Sequence, residues 1–188
     1  MASSYRLELN KWLNELDVDA SKVLDIGGSQ EQVINRVKSW NVEEYLIADL
    51  DNPHKGEKPD IILDLNEDII TADYCGYFDL IFCLEVFEYI YDPMFALDSI
   101  YDALKEGGTA YISFPSIYPL HEPVEDDCLR YMPAGIRKLA SETKLEIKNI
   151  IPRKMETTSW LDTIIRERFR AAKNQDHLIS GWIVEFEK

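Results

Sequence analysis

The sequence predicts a three-layer α/β/α domain of the Rossmann-like kind, built on a mostly parallel sheet of seven strands, the last of them antiparallel. Two observations predict it. Short apolar runs alternate with segments whose apolar residues recur at helical spacing, which is the pattern of strands buried under helices on both faces. Several of those runs also stop on a carboxylate or a glycine, residues that suit the ligand end of such a sheet.

The elements follow in order. Tyr5, Leu9, Trp12, Leu13 and Leu16 fall on one helical face and open the chain with an amphipathic helix. KVLDI (22–26) is a first strand stopping at Gly27-Gly28, and Val33, Ile34, Val37 and Trp40 then recur at helical spacing, predicting a helix after the glycines. EYLIAD (44–49) and DIILD (60–64) are the second and third strands, each ending in a carboxylate, with the turn-forming Asn52-Pro53 between them. YFDLIFC (77–83) is the fourth, and Leu97, Ile100, Tyr101 and Leu104 mark a helix after Pro93 that Gly107-Gly108 is expected to close. TAYISF (109–114) is the fifth strand; a helix around Ile136–Ala140 leads to LEIKNII (145–151), and GWIVEFE (181–187) ends the chain. Leu161, Ile164, Ile165 and Phe169 suggest one further helix between those last two strands. We expect one domain over 1–188, with 1–20 as a helical extension and 115–143 and 152–180 as loops on the substrate side.

Composition narrows the function. Hydrophobic residues make up 46 % of 188, which supports a sizeable core. No run of about twenty apolar residues predicts a membrane span, and the N-terminus lacks the pattern of a secretory signal. Cys75, Cys83 and Cys128 include no CxxC pair, so neither a disulfide framework nor a metal site is expected, and the sparse thiols suit the cytoplasm. His54, His121 and His177 have no metal-ligand spacing either. A formal net charge of −15 repels phosphate backbones and anionic membranes, so nucleic acid is disfavoured as a partner.

The chemistry-bearing segment is VLDIGGSQ (23–30), where a strand ending in glycines lets backbone approach a ligand closely. Asp25 is placed to hold a cationic amino group, Asp49 a ribose diol, and Asp64 an adenine amino group, each from the carboxyl end of a successive strand. Glycine turns and helix caps account for any one of these alone; their convergence on one sheet edge points to a ligand crevice.

In order and spacing these segments resemble the class I S-adenosylmethionine-dependent methyltransferases, in particular the methyltransferase type 11 group. VLDIGGSQ resembles the first motif, LIADLDN the second and ILDLNED the adenine-contacting segment, while Phe78–Pro115 resembles the fourth strand through the fifth, with its Lys-x-Gly-Gly turn. The resemblance implies S-adenosylmethionine as cofactor, held by Asp25, Gly27, Gly28, Ser29, Asp49, Leu50, Asp64, Leu65, Cys83, Leu84 and Glu85, and a methyl acceptor that is a small molecule attacking through oxygen or nitrogen. Ser29 and Glu31 stand where the family often has further glycines, and Tyr89 where many relatives have histidine. Residues 115–143 resemble the family's loop after the fifth strand, an Arg-aromatic-x-Pro pattern at Arg130, Tyr131 and Pro133. From that loop Tyr118, His121, Arg130 and Tyr131 are the expected acceptor-binding residues, with Tyr89 and His121 the candidates for a catalytic base. Packing roles for Arg130 and Tyr131 compete with this reading. Two other functions compete as well: a non-catalytic cofactor-binding or regulatory member of the fold, and a nicotinamide-dependent oxidoreductase. GGSQEQ lacks the GxGxxG spacing, and Asp25 would repel a pyrophosphate, which counts against the last.

Overall fold

The computed structural model describes residues 4–53, 56, 58–70, 72–117, 119–154 and 179–188. Helix α1 (Ser4–Leu13) precedes β1 (Asp17–Ile26), β2 (Ser39–Asp49), β3 (Ile61–Ile62) and β4 (Phe78–Cys83). Then follow α2 (Pro93–Ala103), β5 (Leu104–Pro115), α3 (Pro133–Glu142), β6 (Glu146–Lys154) and β7 (Ile179–Glu187). The seven strands form one sheet in the order β3-β2-β1-β4-β5-β7-β6. Pairs β1–β2, β2–β3, β1–β4 and β4–β5 are parallel, and β7 runs antiparallel to both β5 and β6. The order reverses at β1, which pairs on one side with β2 and on the other with β4, and such a switch point opens a crevice at the carboxyl ends of the strands.

Alternation along the strands divides the core in two. Leu24, Ile26, Ile81 and Ile112 face one side, where Leu97 and Ile100 of α2 and Ile136 and Ala140 of α3 pack on them. Val23, Leu80, Phe82 and Ile183 face the other, covered by Leu9 and Leu13 of α1 together with Val33. These helical positions are almost wholly buried, and truncating one such leucine to alanine costs about 2–5 kcal/mol.

The structure departs from the sequence expectations at two turns. After Gly27-Gly28 the chain makes only a 3₁₀ turn at Val33–Asn35, and Trp40 belongs to β2, which starts at Ser39. Val33, Val37 and Trp40 still face the apolar cluster under α1, so that helix covers the surface the missing one would have covered. The Lys38 amide donates to the Leu16 carbonyl at 3.0 Å and ties this connection to the end of α1. Gly107-Gly108 do not close α2 either. The helix stops at Ala103, and the glycines lie inside β5, where Leu104 is opposite Phe78 but Thr109 opposite Leu80, a bulge. The helix expected over 161–169 and most of 152–180 lie outside the described residues, as do His54, Tyr118 and His177.

Candidate cofactor and acceptor site

A cavity of about 990 Å³ opens at the carboxyl ends of β1, β2, β3 and β4. Its floor is the turn after β1. Gly27 has φ +80°, and a Cβ there would lie 2.4 Å from a Val86 methyl; a Cβ on Gly28 would lie 2.5 Å from the Asp25 carboxylate. The left-handed backbone restricts the first position to glycine, and at the second the Asp25 carboxylate would have to shift to admit a side chain. Asp25 is 3 % exposed, and its Oδ2 accepts from the Val33 amide at 2.9 Å and the Tyr45 hydroxyl at 2.6 Å. Burial pushes this carboxyl up to about 6, against the opposing pull of those two hydrogen bonds.

The neighbouring strand ends supply the next carboxylates. Asp49 accepts from the Ser29 amide at 3.2 Å through Oδ2 and from the Leu50 amide at 2.9 Å through Oδ1, so it spans the tips of β1 and β2. Asp64 lies past β3 and caps its own turn, accepting from the Asn66 amide at 2.9 Å. Asn66 in turn donates to the Tyr89 carbonyl at 3.1 Å and accepts from the Tyr91 amide at 2.9 Å, joining this wall to the loop after β4. Leu50, Leu63, Leu65 and Ile90 give the same wall an apolar surface.

Glu85, just beyond β4, has φ +60°, a conformation that costs a residue with a side chain about 1 kcal/mol or more. Surrounding bonds hold it there: its amide donates to Ser113 Oγ at 2.7 Å, Ser113 Oγ donates to its carboxylate at 3.2 Å, and Arg153 of β6 donates to the same oxygen. Tyr89, His121, Glu122, Glu125 and Asp126 also line the cavity. The Tyr89 hydroxyl is 2.7 Å from His121 Nδ1 and donates to the Glu122 carbonyl at 2.6 Å, while Glu88 Oε1 is 3.2 Å from the same Nδ1. Glu88 is 1 % exposed; burial raises its carboxyl, and its hydrogen bond raises the His121 imidazole above the ordinary value.

Of the residues singled out from sequence, Asp25, Gly27, Gly28, Asp49, Leu50, Asp64, Leu65, Leu84, Glu85, Tyr89 and His121 line this cavity. Ser29 and Cys83 do not. Ser29 is buried behind the glycine turn, and Cys83 is a core side chain whose thiol burial pushes well up. Arg130 and Tyr131 are not among the residues lining the cavity either. The Arg130 guanidinium is clamped by both oxygens of Asp127 and also donates to the Leu129 carbonyl at 2.8 Å and the Pro119 carbonyl at 3.2 Å. Tyr131 is buried against Phe87 and Phe114, with its hydroxyl donating to the Phe87 carbonyl at 3.1 Å. These bonds seat the loop on the core, the packing role that the sequence already offered for both residues.

Sequence reasoning passed over Glu88, Arg6 and Arg36. Glu88 was legible as a charge inside the apolar run VFEYI, whereas Arg6 reaches the cavity from α1 and Arg36 from the end of the 3₁₀ turn. Arg6 pairs with Glu31 at 3.1 Å, and Arg36 donates to Asn10 Oδ1 at 2.8 Å. These two arginines are the guanidinium groups lining the cavity among the described residues; carboxylates outnumber them.

Residues 1–148 match a family model described as a methyltransferase domain. No curated protein matches the sequence. Among solved structures, an S-adenosylmethionine-dependent methyltransferase from Mesorhizobium loti has 13 % identity and a TM-score of 0.63, covering 100 % of this chain and 99 % of that one. A second, from Archaeoglobus fulgidus, has 12 % identity and a TM-score of 0.63, over 100 % and 95 % of the two chains. A Haloferax volcanii complex between the Trm112 methyltransferase activator and a methyltransferase described as putative matches at 15 % identity and TM-score 0.62, over 98 % and 92 %. At these identities the likeness is one of fold.

Proposed function

The chain belongs to the methyltransferase-domain family, with S-adenosylmethionine as its methyl donor, and from that premise we propose that it methylates an oxygen or nitrogen of a small molecule. One observation carries the reading. The glycine turn and the carboxylates of Asp25, Asp49 and Asp64 line a single cavity together with a histidine hydrogen-bonded to a tyrosine.

The residues present fit the donor. The positions where a Cβ would meet Val86 or Asp25 make a cradle that only a bare backbone leaves open to a ligand. The carboxylate-rich lining suits a ligand carrying a sulfonium and an ammonium, and it repels the pyrophosphate of a nicotinamide dinucleotide. S-adenosylmethionine, when bound, supplies a methyl group already activated by positive sulfur. Asp49 keeps lone pairs for a ribose diol beyond the two amides it accepts, and Asp64 with Asn66 faces the adenine end beside Leu63 and Leu65. Asp25 holds the ammonium end beneath the glycine turn. Catalysis then depends on holding the acceptor in line with the methyl group and keeping water out, which supplies several kcal/mol.

The acceptor end carries tyrosines, a histidine and carboxylates, suited to a small polar molecule. A negative net charge of −15 argues for such a molecule over nucleic acid. No helix among the described residues is long and apolar enough to cross a membrane, and the free thiols at Cys75, Cys83 and Cys128 suit work in the cytoplasm. Calorimetric titration tests the reading. Wild-type protein should bind S-adenosylmethionine, and Asp49→Ala should weaken it about tenfold or more by removing two charge-assisted hydrogen bonds. Equal affinity in the variant would remove Asp49 from the site, and stabilisation by a nicotinamide cofactor alone would favour the oxidoreductase.

A further inference from the structure

We propose that Glu88 is a positioning residue that fixes the tautomer of His121, making its Nε2 the base that takes the acceptor's proton. The inference rests on reading the cavity as a methyl-transfer site.

The tautomer follows from counting protons. The Tyr89 hydroxyl has one proton, and the Glu122 carbonyl, 2.6 Å away, can only accept it. The 2.7 Å contact between the Tyr89 oxygen and His121 Nδ1 therefore needs a proton on Nδ1. Glu88 Oε1, 3.2 Å from the same nitrogen, accepts from it as well. With Nδ1 protonated, the lone pair that binds a proton is on Nε2. The Glu88 side chain is placed for this task. It is 1 % exposed, and its other oxygen, Oε2, is buried with no hydrogen-bond partner among the described residues. A carboxylate buried in such low-dielectric surroundings acts strongly on the imidazole it meets. The backbone of the same residue anchors the loop, since its carbonyl accepts from the Cys128 and Leu129 amides at 2.8 and 3.1 Å. His121 itself is held by its own amide, which donates to Asp127 at 2.7 Å.

The charged groups around the imidazole favour its protonated form on balance. Glu88 and Glu85 favour the protonated ring, Asp127 adds to them, and Arg6 of α1 opposes. The result is a stronger base than an ordinary histidine. In the step it serves, the acceptor's lone pair forms the new bond to the methyl carbon, the carbon–sulfur bond breaks with its electron pair left on sulfur, and the acceptor's proton passes to Nε2. A base is needed only where the acceptor still carries that proton. The acceptor class is therefore a hydroxyl, or an ammonium group that gives its proton to Nε2 first and attacks with the lone pair so freed. A carboxylate needs no base, and Glu122, Glu125 and Asp126 lining the same cavity would repel it.

The test is nitrogen-15 NMR of the histidine side chains, with His121 identified by the signal missing from His121→Gln. In the wild-type protein near neutral pH the neutral ring should carry its proton on Nδ1, the minor form in a free imidazole. In Glu88→Gln the apparent pKa of His121 should fall by about one unit or more, because the neighbouring charge is gone while the side-chain shape remains. A loop-anchoring role alone would move neither reading. A wild-type ring protonated on Nε2, or an unchanged titration in folded Glu88→Gln, overturns the proposal; should that variant fail to fold, the wild-type tautomer decides. Calorimetry with S-adenosylmethionine on the same samples separates the two ideas. Absence of binding to wild-type protein defeats the methyl-transfer reading, whereas the NMR result tests Glu88 and His121 directly.

Discussion

Asp25→Asn should make the protein more stable and worse at binding its cofactor. Asp25 is 3 % exposed, and burial raises its carboxyl from the ordinary 3.8 to about 6 despite the hydrogen bonds from Tyr45 and Val33. A carboxyl with a raised folded pKa holds its proton more tightly in the native state. Stability is therefore lost as pH rises from about 4 to about 6 and stays at the lower level above that. A shift of that size corresponds to about 3 kcal/mol of destabilisation at neutral pH, an upper bound for what asparagine relieves. Asparagine keeps the shape and an oxygen for the Val33 amide and the Tyr45 hydroxyl, 2.9 and 2.6 Å from Oδ2 in the native residue. It carries no charge, so we expect a gain of about 1–3 kcal/mol at pH 8, or a melting temperature several degrees higher for a chain of this length. At pH 4, where native Asp25 is already protonated, most of the gain should vanish. Calorimetric titration should show the opposite trend for S-adenosylmethionine: about tenfold or more weaker binding to the variant at pH 8, and weaker binding to wild type below pH 6. Equal melting temperatures at pH 8, or the same difference at both pH values, would refute the argument that a buried charge is retained here for a cationic ligand.

Two further substitutions test the floor and the roof of the cavity. Gly28→Ala brings a methyl group to 2.5 Å from the Asp25 carboxylate, so denaturant unfolding should show a loss of about 1–3 kcal/mol, with cofactor binding weakened as Asp25 is displaced. A stability within 0.5 kcal/mol of wild type would mean that the carboxylate moves freely. Arg130→Ala leaves the Asp127 carboxylate, whose side chain is 0 % exposed, without its bidentate partner, and should cost about 1–3 kcal/mol while cofactor affinity stays unchanged. Activity lost without any loss of stability would return Arg130 to the acceptor site.

The sequence by itself determined the strands and what stands at their tips. KVLDI, EYLIAD and YFDLIFC are short apolar runs whose burial needs no distant information, and the turn after β1 and the carboxylates of Asp25, Asp49 and Asp64 follow from where those runs stop. Tertiary structure decided the rest. Val33, Val37 and Trp40 suit a helix or a strand equally over so short a stretch, and α1 packing on that face left room only for a 3₁₀ turn and an extended β2. Gly107-Gly108 suited a helix end, but pairing of β5 with β4 carried them into a bulge. Arg153 meets Glu85 only because β6 joins the far edge of the sheet through β7, and His121 meets Glu88 and Tyr89 because the loop after β5 folds back over β4. Those pairs are separated by 32 to 68 positions along the chain, and periodicity reports which face a residue prefers, never which distant side chain will share that face.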